Sequence, residues 1–325
     1  MDQKDRKLLY LLDKNARMKE SELGKQLKIS KQVVNYRIKG LVSTGIIKQF
    51  QTMLDLSKLG LQIYSQIYCR FLDCSSQKEQ EIIEYLLKHP KVAYLGLVGG
   101  KYDFFIVLVS KNLNDFDKLI SEVLSSYSHE LRQHTISLRT FSIRLPKKYL
   151  IDKRDSIEKK SVFTNSSEVV SIDDLDKDIL ILLSKDARIP LLKIADNLNE
   201  PFSTIRTRVR NLEKKGVIAG YSLLLDIAPL NMLSYKLLLS VNDKSDLVYN
   251  KLKSFALSHP NISWFAKTIG GHDYEFRVVV ENIEQFQSIL KEIRSNYSSI
   301  VEGLESLIIF KELKEDYSVA LEHIK

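Results

Sequence analysis

The sequence predicts an α+β protein that contains two copies of one two-part unit, a winged-type helix-turn-helix domain followed by a ferredoxin-like domain. Three observations support this fold class. The segment from Asp5 to Leu145 recurs as a diverged copy from Asp176 to Leu313. Each copy opens with short amphipathic stretches at helical spacing. Each then continues with strand-like and helix-like stretches in the order β-α-β-β-α-β, which is the ferredoxin-like order.

The repeat keeps its register over most of both copies. A shift of 171 residues aligns the identical pairs Asp5/Asp176, Leu12/Leu183, Ala16/Ala187, Arg17/Arg188, Arg37/Arg208 and Gly45/Gly216. After one deletion, a shift of 170 residues aligns the pairs His89/His259, Gly100/Gly270, Asp103/Asp273 and Phe116/Phe286. Chance similarity would not keep one register across so many apolar and glycine positions, so we interpret the chain as an internal duplication.

The duplication divides the chain into five segments. The predicted domains are a first helix-turn-helix domain (1–54), a first ferredoxin-like sensing and dimerisation domain (55–146), a linker (147–171), a second helix-turn-helix domain (172–225) and a second ferredoxin-like domain (226–325). The linker is predicted because this stretch is polar and nearly free of periodic apolar residues.

The helical part of the first copy predicts three short helices. The third helix follows Ser30, whose hydroxyl can cap its first turn. Val34, Ile38 and Leu41 recur at helical spacing and face inward, and Gly45 ends the helical region. The outward face contains no acidic residue and consists of Lys31, Gln32, Asn35, Tyr36 and Lys39.

The second copy repeats this plan. Ile205, Val209 and Leu212 face inward, and Pro201 is predicted in the first turn of the third helix. The outward residues are Ser203, Thr204, Arg206, Thr207 and Arg210. A third helix with such a face fits the major groove of DNA, where amide and basic side chains pair with base edges and phosphates. A merely solvated helix face is the alternative, but it does not explain the same three-helix spacing in both copies.

Arg37 and Arg208 are also predicted at the nucleic-acid interface, but in a different role. Each lies at the border of the buried stripe, and the pair is identical while the outward residues differ between the copies. We therefore favour a structural or phosphate-binding role over base reading for both arginines.

The charge distribution also indicates a polyanionic partner. The net charge is +8, and residues 1–150 hold 25 Lys and Arg against 15 Asp and Glu. Residues 1–50 hold 12 basic against 5 acidic residues, whereas residues 172–221 hold 9 against 8. The first helix-turn-helix domain should therefore contribute the stronger salt-dependent part of DNA binding.

Several function classes are not indicated by the sequence. No apolar run reaches membrane-spanning length, and the charged N-terminus does not resemble a secretory signal, so we expect a cytoplasmic protein. The two cysteines, Cys69 and Cys74, form no disulfide framework and no zinc motif. There is no phosphate-binding loop and no Gly-x-Ser-x-Gly motif, so we predict no catalytic residue, metal or cofactor.

The strand-rich part of each copy predicts a sheet with helices on one face. The other face is left for a partner, so we expect the two modules to pair. Both copies contain a four-residue turn with glycine first and aspartate last, at 100–103 and 270–273. On composition alone, these are β-hairpin turns.

Taken together, these residues resemble the Lrp/AsnC (feast/famine) family of regulators. The resemblance rests on the paired Ala-Arg at 16–17 and 187–188, on the third-helix pattern, on Gly45-Ile46-Ile47 and its counterpart, and on the Gly-x-x-Asp turns. It implies a transcription regulator of double-stranded DNA that pairs through its sensing domains, forms homo-oligomers and binds small effectors, often amino acids. The implied effector contacts are Gly100, Tyr102, Asp103, Gly270, His272 and Asp273. This chain departs from the family pattern in having two copies and two unlike turns.

Two alternatives stay open. Some proteins that look like this family are siroheme decarboxylases, which need histidines, arginines and aromatic residues around a tetrapyrrole. His89 and His259 precede prolines at helix ends and read as structural, and the other histidines form no visible cluster. The remaining alternative is a sensor or scaffold that has lost DNA binding, against which the basic outward faces argue.

Overall fold

The computed structural model describes residues 1–151, 160–163 and 168–324. The first copy contains the helices α1 (Gln3–Lys14), α2 (Glu20–Leu27) and α3 (Lys31–Ser43), followed by strand β1 (Ile47–Leu54). Its second part contains β2 (Ile63–Cys69), α4 (Ser76–Lys88), β3 (Val92–Gly99), β4 (Phe104–Ser110), α5 (Leu113–Ser125) and β5 (His134–Arg144). The predicted helix-turn-helix and β-α-β-β-α-β orders are both present.

The second copy has the same sequence of elements after a short strand β6 (Lys160–Phe163). Its helical part contains α6 (Asp174–Lys185), α7 (Leu191–Leu198), α8 (Phe202–Lys214) and then strand β7 (Ile218–Leu225). Its second part contains β8 (Leu233–Val241), α9 (Asp246–Ser258), β9 (Ile262–Gly270), β10 (Tyr274–Val280), α10 (Ile283–Tyr297) and β11 (Val301–Glu315). Among the described residues, no helix has both the length and the apolar character that crossing a bilayer requires.

The two ferredoxin-like sheets join at both edges into one closed barrel. The strand order is β2-β4-β3-β11-β8-β10-β9-β5, and β5 pairs again with β2. The two junctions between copies are the antiparallel pairs β3–β11 and β5–β9. Closure leaves no free sheet edge among these eight strands, so the duplication provides within one chain the pairing that was predicted between modules.

The barrel has two chemically different faces. The helices of the first copy cover an outer apolar cluster that includes Ile67 and Phe104, and the helices of the second copy cover a cluster that includes Leu237 and Phe276. The inward face is mixed. It contains buried charged and polar side chains, among them Arg139, Lys236 and Glu275. Buried polar groups require hydrogen-bond partners, so the hydrogen bonds and ion pairs between these side chains lie in the barrel interior.

The two helix-turn-helix domains are also joined, through a two-stranded ribbon. Strand β1 pairs antiparallel with β7, with Phe50 opposite Leu223. Each copy thus contributes one strand to a shared wing. The ribbon is further tied to α6, because the Thr52 hydroxyl donates to the Leu183 carbonyl oxygen at 2.6 Å. The winged type of the predicted domains implies strands here, but their pairing with each other was not predicted.

The predicted linker at 147–171 makes contacts with the first copy at two places, and its role as a linker stays a prediction. Lys147, Lys148, Tyr149 and Leu150 are buried, and Lys147 forms an ion pair with Asp13 of α1. Strand β6 then pairs with β5. The linker interpretation relied on polarity, but buried lysines that find partners escape that criterion. The rest of the predicted linker at 152–159 and 164–167 lies outside the described residues.

Candidate nucleic-acid interface and effector site

The recognition helices α3 and α8 begin differently but bury equivalent faces. In α3, the Ser30 side chain accepts a hydrogen bond from the Val33 amide at 3.3 Å, as predicted for an N-cap. In α8, Pro201 is itself the N-cap and makes no side-chain cap, so it lies one position before the predicted first turn. Val34 and Ile205 are fully buried at the centre of the two helices. The inward faces are therefore those that the periodicity predicted.

The outward face of α3 is open to solvent. Its predicted contact residues Lys31, Gln32, Asn35, Tyr36 and Lys39 are all exposed, and Tyr36 is 79% exposed. An aromatic side chain that exposed has no packing role in the chain and is available to a partner. This face is where the first copy can meet a nucleic acid.

The outward face of α8 is exposed at Ser203, Arg206, Thr207 and Arg210, whereas Thr204 is half-buried. The Thr207 hydroxyl donates to the Ser203 carbonyl oxygen at 2.9 Å, so its hydrogen is already used within the helix. The Arg206 guanidinium lies over the ring of Phe202, which is 43% exposed and was not among the predicted contact residues.

Arg37 and Arg208 have equivalent intramolecular roles. The Arg37 guanidinium donates to Asp2 at 2.8 Å and to Asp5 at 2.7 Å, which ties α3 to the start of α1. The backbone amide of Asp5 and the Arg37 guanidinium together lower the pKa of the Asp2 carboxyl. These contacts support the structural role for Arg37, and its contact with DNA stays a prediction.

The second copy repeats the arrangement, since Arg208 donates to Asp173 at 2.7 Å and lies 3.3 Å from Asp176. Burial, followed by the nearby charge of Asp173, raises the pKa of Asp176. As with its counterpart, any contact of Arg208 with DNA stays a prediction.

The two helical domains are held together by arginine contacts that were not predicted from the sequence. Arg17 donates to the carbonyl oxygens of Ala187 at 2.5 Å and Ile189 at 3.2 Å, in the other copy. Arg188 donates in the same way to Ala16 at 2.6 Å and Met18 at 3.2 Å. The Ala-Arg pair was visible as a repeated motif, but nothing local indicates that each arginine reaches across to the other domain.

The glycines of the Gly-x-x-Asp turns serve the closure of the barrel. Gly270 has a φ of +121°, and a Cβ atom there would lie 2.4 Å from the Ile136 carbonyl oxygen of β5. Gly100 has a φ of +128° and lies against Leu307 of β11. At each of these glycines, a strand of the other copy approaches the backbone closely.

The side chains of the same turns are engaged inside the chain. Asp103 accepts from the Phe71 amide at 2.8 Å, and Asp273 accepts from the Val241 amide at 3.0 Å. Tyr102 is buried, and its hydroxyl donates to Thr135 at 2.9 Å. The predicted effector contacts thus have structural partners in the single chain, and their role toward an effector stays a prediction.

His272 joins a buried charged cluster at the centre of the barrel. Its Nε2 lies 2.6 Å from Glu275, which is fully buried and pairs with Lys236 at 3.0 Å. Tyr68 and Gln66 of the first copy donate to the same carboxylate at 2.9 and 2.6 Å. Burial alone would raise the pKa of Glu275, but the Lys236 ammonium and His272 lower it well below its ordinary value. Burial lowers the pKa of Lys236 to about 8 despite the opposing effect of Glu275.

The remaining predicted features have structural explanations. Cys69 is buried in β2, and burial raises the pKa of its thiol. His89 and His259 end α4 and α9, and each Nδ1 accepts an amide hydrogen two residues later. Within residues 1–151, 160–163 and 168–324, no group of three or more His, Cys, Asp or Glu side chains is arranged to hold a metal ion.

Comparison with known families matches both parts of the unit. Residues 1–48 and 172–219 match the winged helix-turn-helix DNA-binding family, and residues 237–319 match the Lrp/AsnC ligand-binding domain.

Related sequences align with a length close to one copy. The chain is 30% identical over 125 residues to an uncharacterised HTH-type transcriptional regulator of Pyrococcus horikoshii. The aligned segment covers 38% of this chain and 77% of that regulator. It is 32% identical over 124 residues to another such regulator of Pyrococcus furiosus, of which it covers 83%. It is also 26% identical over 129 residues to the proline dehydrogenase transcriptional activator of Rhodobacter capsulatus, of which it covers 84%.

The duplicated architecture itself has a solved counterpart. The siroheme decarboxylase NirDL, crystallised with an iron-uroporphyrin III analogue, superposes with a TM-score of 0.62 at 14% identity. The superposition covers 97% of this chain and 93% of that chain. At this level of identity the comparison establishes a shared fold over both copies.

Proposed function

The chain belongs to the Lrp/AsnC family of helix-turn-helix transcription regulators, and from that premise we propose that it reads an asymmetric DNA target with two unlike heads. The observation that carries this proposal is the mutual locking of the two helical domains by the β1–β7 ribbon and by Arg17 and Arg188. A symmetric dimer presents two identical recognition helices and reads a palindrome. Here the two helices are held together in the same way, but their outward residues differ.

The two heads differ in the chemistry that they present to DNA. The α3 face offers the amides Gln32 and Asn35 beside Lys31 and Lys39, which suits adenine edges and phosphates. The α8 face offers Arg206 and Arg210 beside hydroxyl groups, which suits guanine edges and phosphates. Because both heads are in one chain, binding of the first raises the effective concentration of the second at its half-site.

Effector control and further assembly are part of the same proposal. The sensing modules would respond to a small effector such as an amino acid, and chains would associate further as homo-oligomers. Support for these features comes from the family and from the Lrp/AsnC ligand-binding domain in the second copy. Residues at the Gly-x-x-Asp turns remain the proposed contacts for an effector bound between associated chains.

Substitutions on α3 test the DNA-reading role. In Asn35→Ala, we expect affinity for the cognate fragment to fall by about 1–3 kcal/mol with little change for unrelated DNA, because one base contact is lost. In Lys39→Ala, we expect the slope of log affinity against log salt to fall by about 1 for every fragment. Gel-shift titrations at several salt concentrations measure both effects. Lys118→Ala, an exposed lysine on α5, is the matched control and should change neither.

A footprint of the bound complex tests the asymmetry. We expect protection of two unlike half-sites, with substitutions on α3 and α8 affecting different halves. Protection of a perfect palindrome that depends on α3 alone would contradict the two-headed proposal. Absence of salt-sensitive binding to any genomic fragment would instead favour the sensor or scaffold alternative.

The enzyme alternative is supported by the fold over the whole chain, which it shares with a siroheme decarboxylase at 14% identity. It predicts that siroheme binds and that its visible spectrum shifts when the protein is added. The regulator proposal predicts an unchanged spectrum. The two functions are therefore separable with one titration of the purified chain.

A further inference from the structure

Two adjoining cavities lie where the barrel interior meets the wing ribbon. Their volumes are about 90 and 60 Å³. Both are lined by Arg139, Arg144, Trp264, Glu315 and Tyr317. The smaller cavity is additionally lined by residues 49 and 51–54 of β1, so its walls come from the wing as well as from the sensing barrel. This volume has room for a few water molecules or for one small organic ion.

Arg139 is the unusual residue of this chamber. It is 6% exposed, and its guanidinium carbon lies 5.2 Å from the ring centre of Tyr64 and 4.9 Å from that of Trp264. Its Nε atom is buried without a hydrogen-bond partner. The charge of Arg139 acts on Glu275 and on the Tyr317 hydroxyl, but among the described residues no carboxylate lies within ion-pair distance of its guanidinium. A buried guanidinium without a counter-charge is costly, so this position favours an anion from outside the chain.

The other cations around the chamber already have carboxylate partners. Lys147 pairs with Asp13, Lys236 pairs with Glu275 and Arg277 pairs with Glu312. Arg144 lies 3.7 Å from Glu315. Among the described residues that line the two cavities, every lysine and arginine except Arg139 thus has a carboxylate within 4 Å. A general excess of positive charge does not explain this difference.

Two hydroxyl groups beside Arg139 are also without partners. The Oγ atoms of Ser142 on β5 and Ser184 on α6 are buried and make no hydrogen bond, and both residues line the smaller cavity. The register of β5 against β9 shifts between Arg139 and Phe141, and such an irregularity turns a strand so that side chains are aimed differently. The Nε atom of Arg139 and the Oγ atoms of Ser142 and Ser184 therefore line one cavity without a hydrogen-bond partner.

The internal duplication shows how this position differs between the two copies. With the shift of 170 residues, Ser142 corresponds to Glu312, and the sheet pairing keeps this register because Ser142 lies opposite Ala266 and Glu312 opposite Gly96. Glu312 accepts two hydrogen bonds from the Arg277 guanidinium, at 2.8 and 2.6 Å. The arginine that Glu312 binds, Arg277 on β10, corresponds to Val107 of the first copy, and Arg139 corresponds to Ile309 of the second. Ser142 thus stands where the other copy has a carboxylate, and Arg139 stands where the other copy has an isoleucine.

We propose that this chamber binds a small carboxylate, held by the Arg139 guanidinium and the hydroxyls of Ser142 and Ser184. The planar fork of a guanidinium matches a carboxylate through two parallel hydrogen bonds. The flanking rings of Tyr64 and Trp264 cover the guanidinium on its faces and favour bonding at its edge. The site lies between the barrel and the wing ribbon, and no residue of the Gly-x-x-Asp turns lines either cavity.

The chamber also connects to the DNA-reading part of the chain. Arg144, which lines both cavities, donates to the Gln51 side chain at 2.6 Å and to the Leu223 carbonyl oxygen at 2.8 Å. Those two residues belong to β1 and β7, the strands of the wing ribbon. A carboxylate beside Arg144 would alter the contacts that hold the ribbon against the barrel. This consequence for DNA affinity rests on the proposed function, whereas carboxylate binding does not.

The single tryptophan of the chain makes the site directly observable. Trp264 lines both cavities, so its fluorescence reports occupancy in the full-length protein. Sodium acetate is the probe, with sodium chloride at equal ionic strength as the reference and sodium phosphate as a second anion. We expect a saturable fluorescence change with acetate and none with chloride. In Arg139→Gln the affinity for acetate should fall by about tenfold or more, because charge-assisted hydrogen bonds are lost.

Two further variants keep the test decisive. Ser142→Glu places a carboxylate in the wall of the cavity that Arg139 also lines, so it should abolish the acetate response while thermal unfolding shows a folded chain. Arg132→Gln removes an exposed arginine that pairs with Asp73 outside the chamber, and should respond as the original protein does.

No acetate response in the original protein, or an equal response in Arg139→Gln, would overturn the site. A response to phosphate alone would overturn its assignment to a carboxylate. DNA binding is measured separately, so a fluorescence response without any DNA binding would contradict the proposed function and leave the site standing.

Discussion

At the scale of single residues, the barrel interior is distinguished by buried charged side chains that pair with one another. Glu275 is fully buried and is surrounded by Lys236, His272, Gln66 and Tyr68, so each of its oxygens is engaged. Gln66 and Tyr68 belong to the first copy, whereas Lys236, His272 and Glu275 itself belong to the second. A satisfied cluster of this kind ties the copies together, whereas removing one charge leaves its partner buried and unpaired.

Glu275→Gln should weaken the fold at neutral pH and flatten its acid dependence. The pKa of Glu275 lies well below the ordinary value of 4.5, so the unfolded chain takes up this proton first as pH falls. The stabilising contribution of Glu275 is therefore complete above about pH 4.5 and is lost below it. We expect the variant to lose about 3 kcal/mol of unfolding free energy at pH 7.

Denaturant unfolding of both proteins from pH 7 to pH 3 measures this effect. The difference between them should shrink toward the acid end. Glu302→Gln, an exposed position on β11, is the control and should follow the original protein at every pH. A constant difference across the range would show that the charge of Glu275 is not its source.

At the scale of secondary-structure elements, the equivalent helices α3 and α8 differ in how their first turns are capped. Helix α3 has a serine cap, whereas the equivalent helix α8 begins after a proline that makes no side-chain cap. The two recognition helices therefore keep the same length and the same buried face while their first turns are held differently. Function can diverge on the outward faces because the inward faces and the ribbon maintain the fold.

Ser30→Ala tests the cap of α3. We expect a loss of about 1 kcal/mol in unfolding free energy, since the Val33 amide loses its side-chain acceptor. Thermal or denaturant unfolding measures it. Ser21→Ala, at an exposed position inside α2, provides the matched serine-to-alanine control and should be neutral or slightly stabilising, because alanine is the better helix former. Equal effects at both positions would contradict the cap.

At the scale of the whole molecule, closure of the barrel depends on close approach between the two copies. The β5–β9 junction brings the Ile136 carbonyl to Gly270, and the β3–β11 junction brings Leu307 to Gly100. Both glycines also have positive φ values, which side chains rarely adopt. The repeated glycine of the turn is thus explained by a contact between copies.

Gly270→Ala should destabilise the closed barrel. Its Cβ atom would meet the Ile136 carbonyl oxygen at 2.4 Å with a φ of +121°, so we expect a loss of about 2 kcal/mol or more. Gly40→Ala is the matched control, because Gly40 lies in α3 with no atom within 4 Å of its added Cβ, and it should stabilise by about 0.5–1 kcal/mol. Unfolding measurements that showed Gly270→Ala to be neutral would contradict the packing at this junction.

Much of the candidate interface was predictable because helical periodicity and capping act over a few neighbouring residues. Val34 and Ile205 are buried and Asn35 and Arg206 are exposed, as their spacing required. The roles of Arg17 and Arg188 were not predictable, since each donates to carbonyl groups about 170 residues away. The pairing of strand β6 with β5 and the burial of Lys147 escaped prediction because this stretch of the sequence is polar.

The sequence by itself determined the duplication, the order of elements in each copy and the two outward helix faces, because these depend on local spacing and on the repeat register. Only the tertiary structure decided that two sheets close into one barrel and that two wings form one ribbon. It also decided that Arg139 lies unpaired beside the single tryptophan. Strand edges and buried charges find their partners across the whole chain, where local periodicity carries no information about distance.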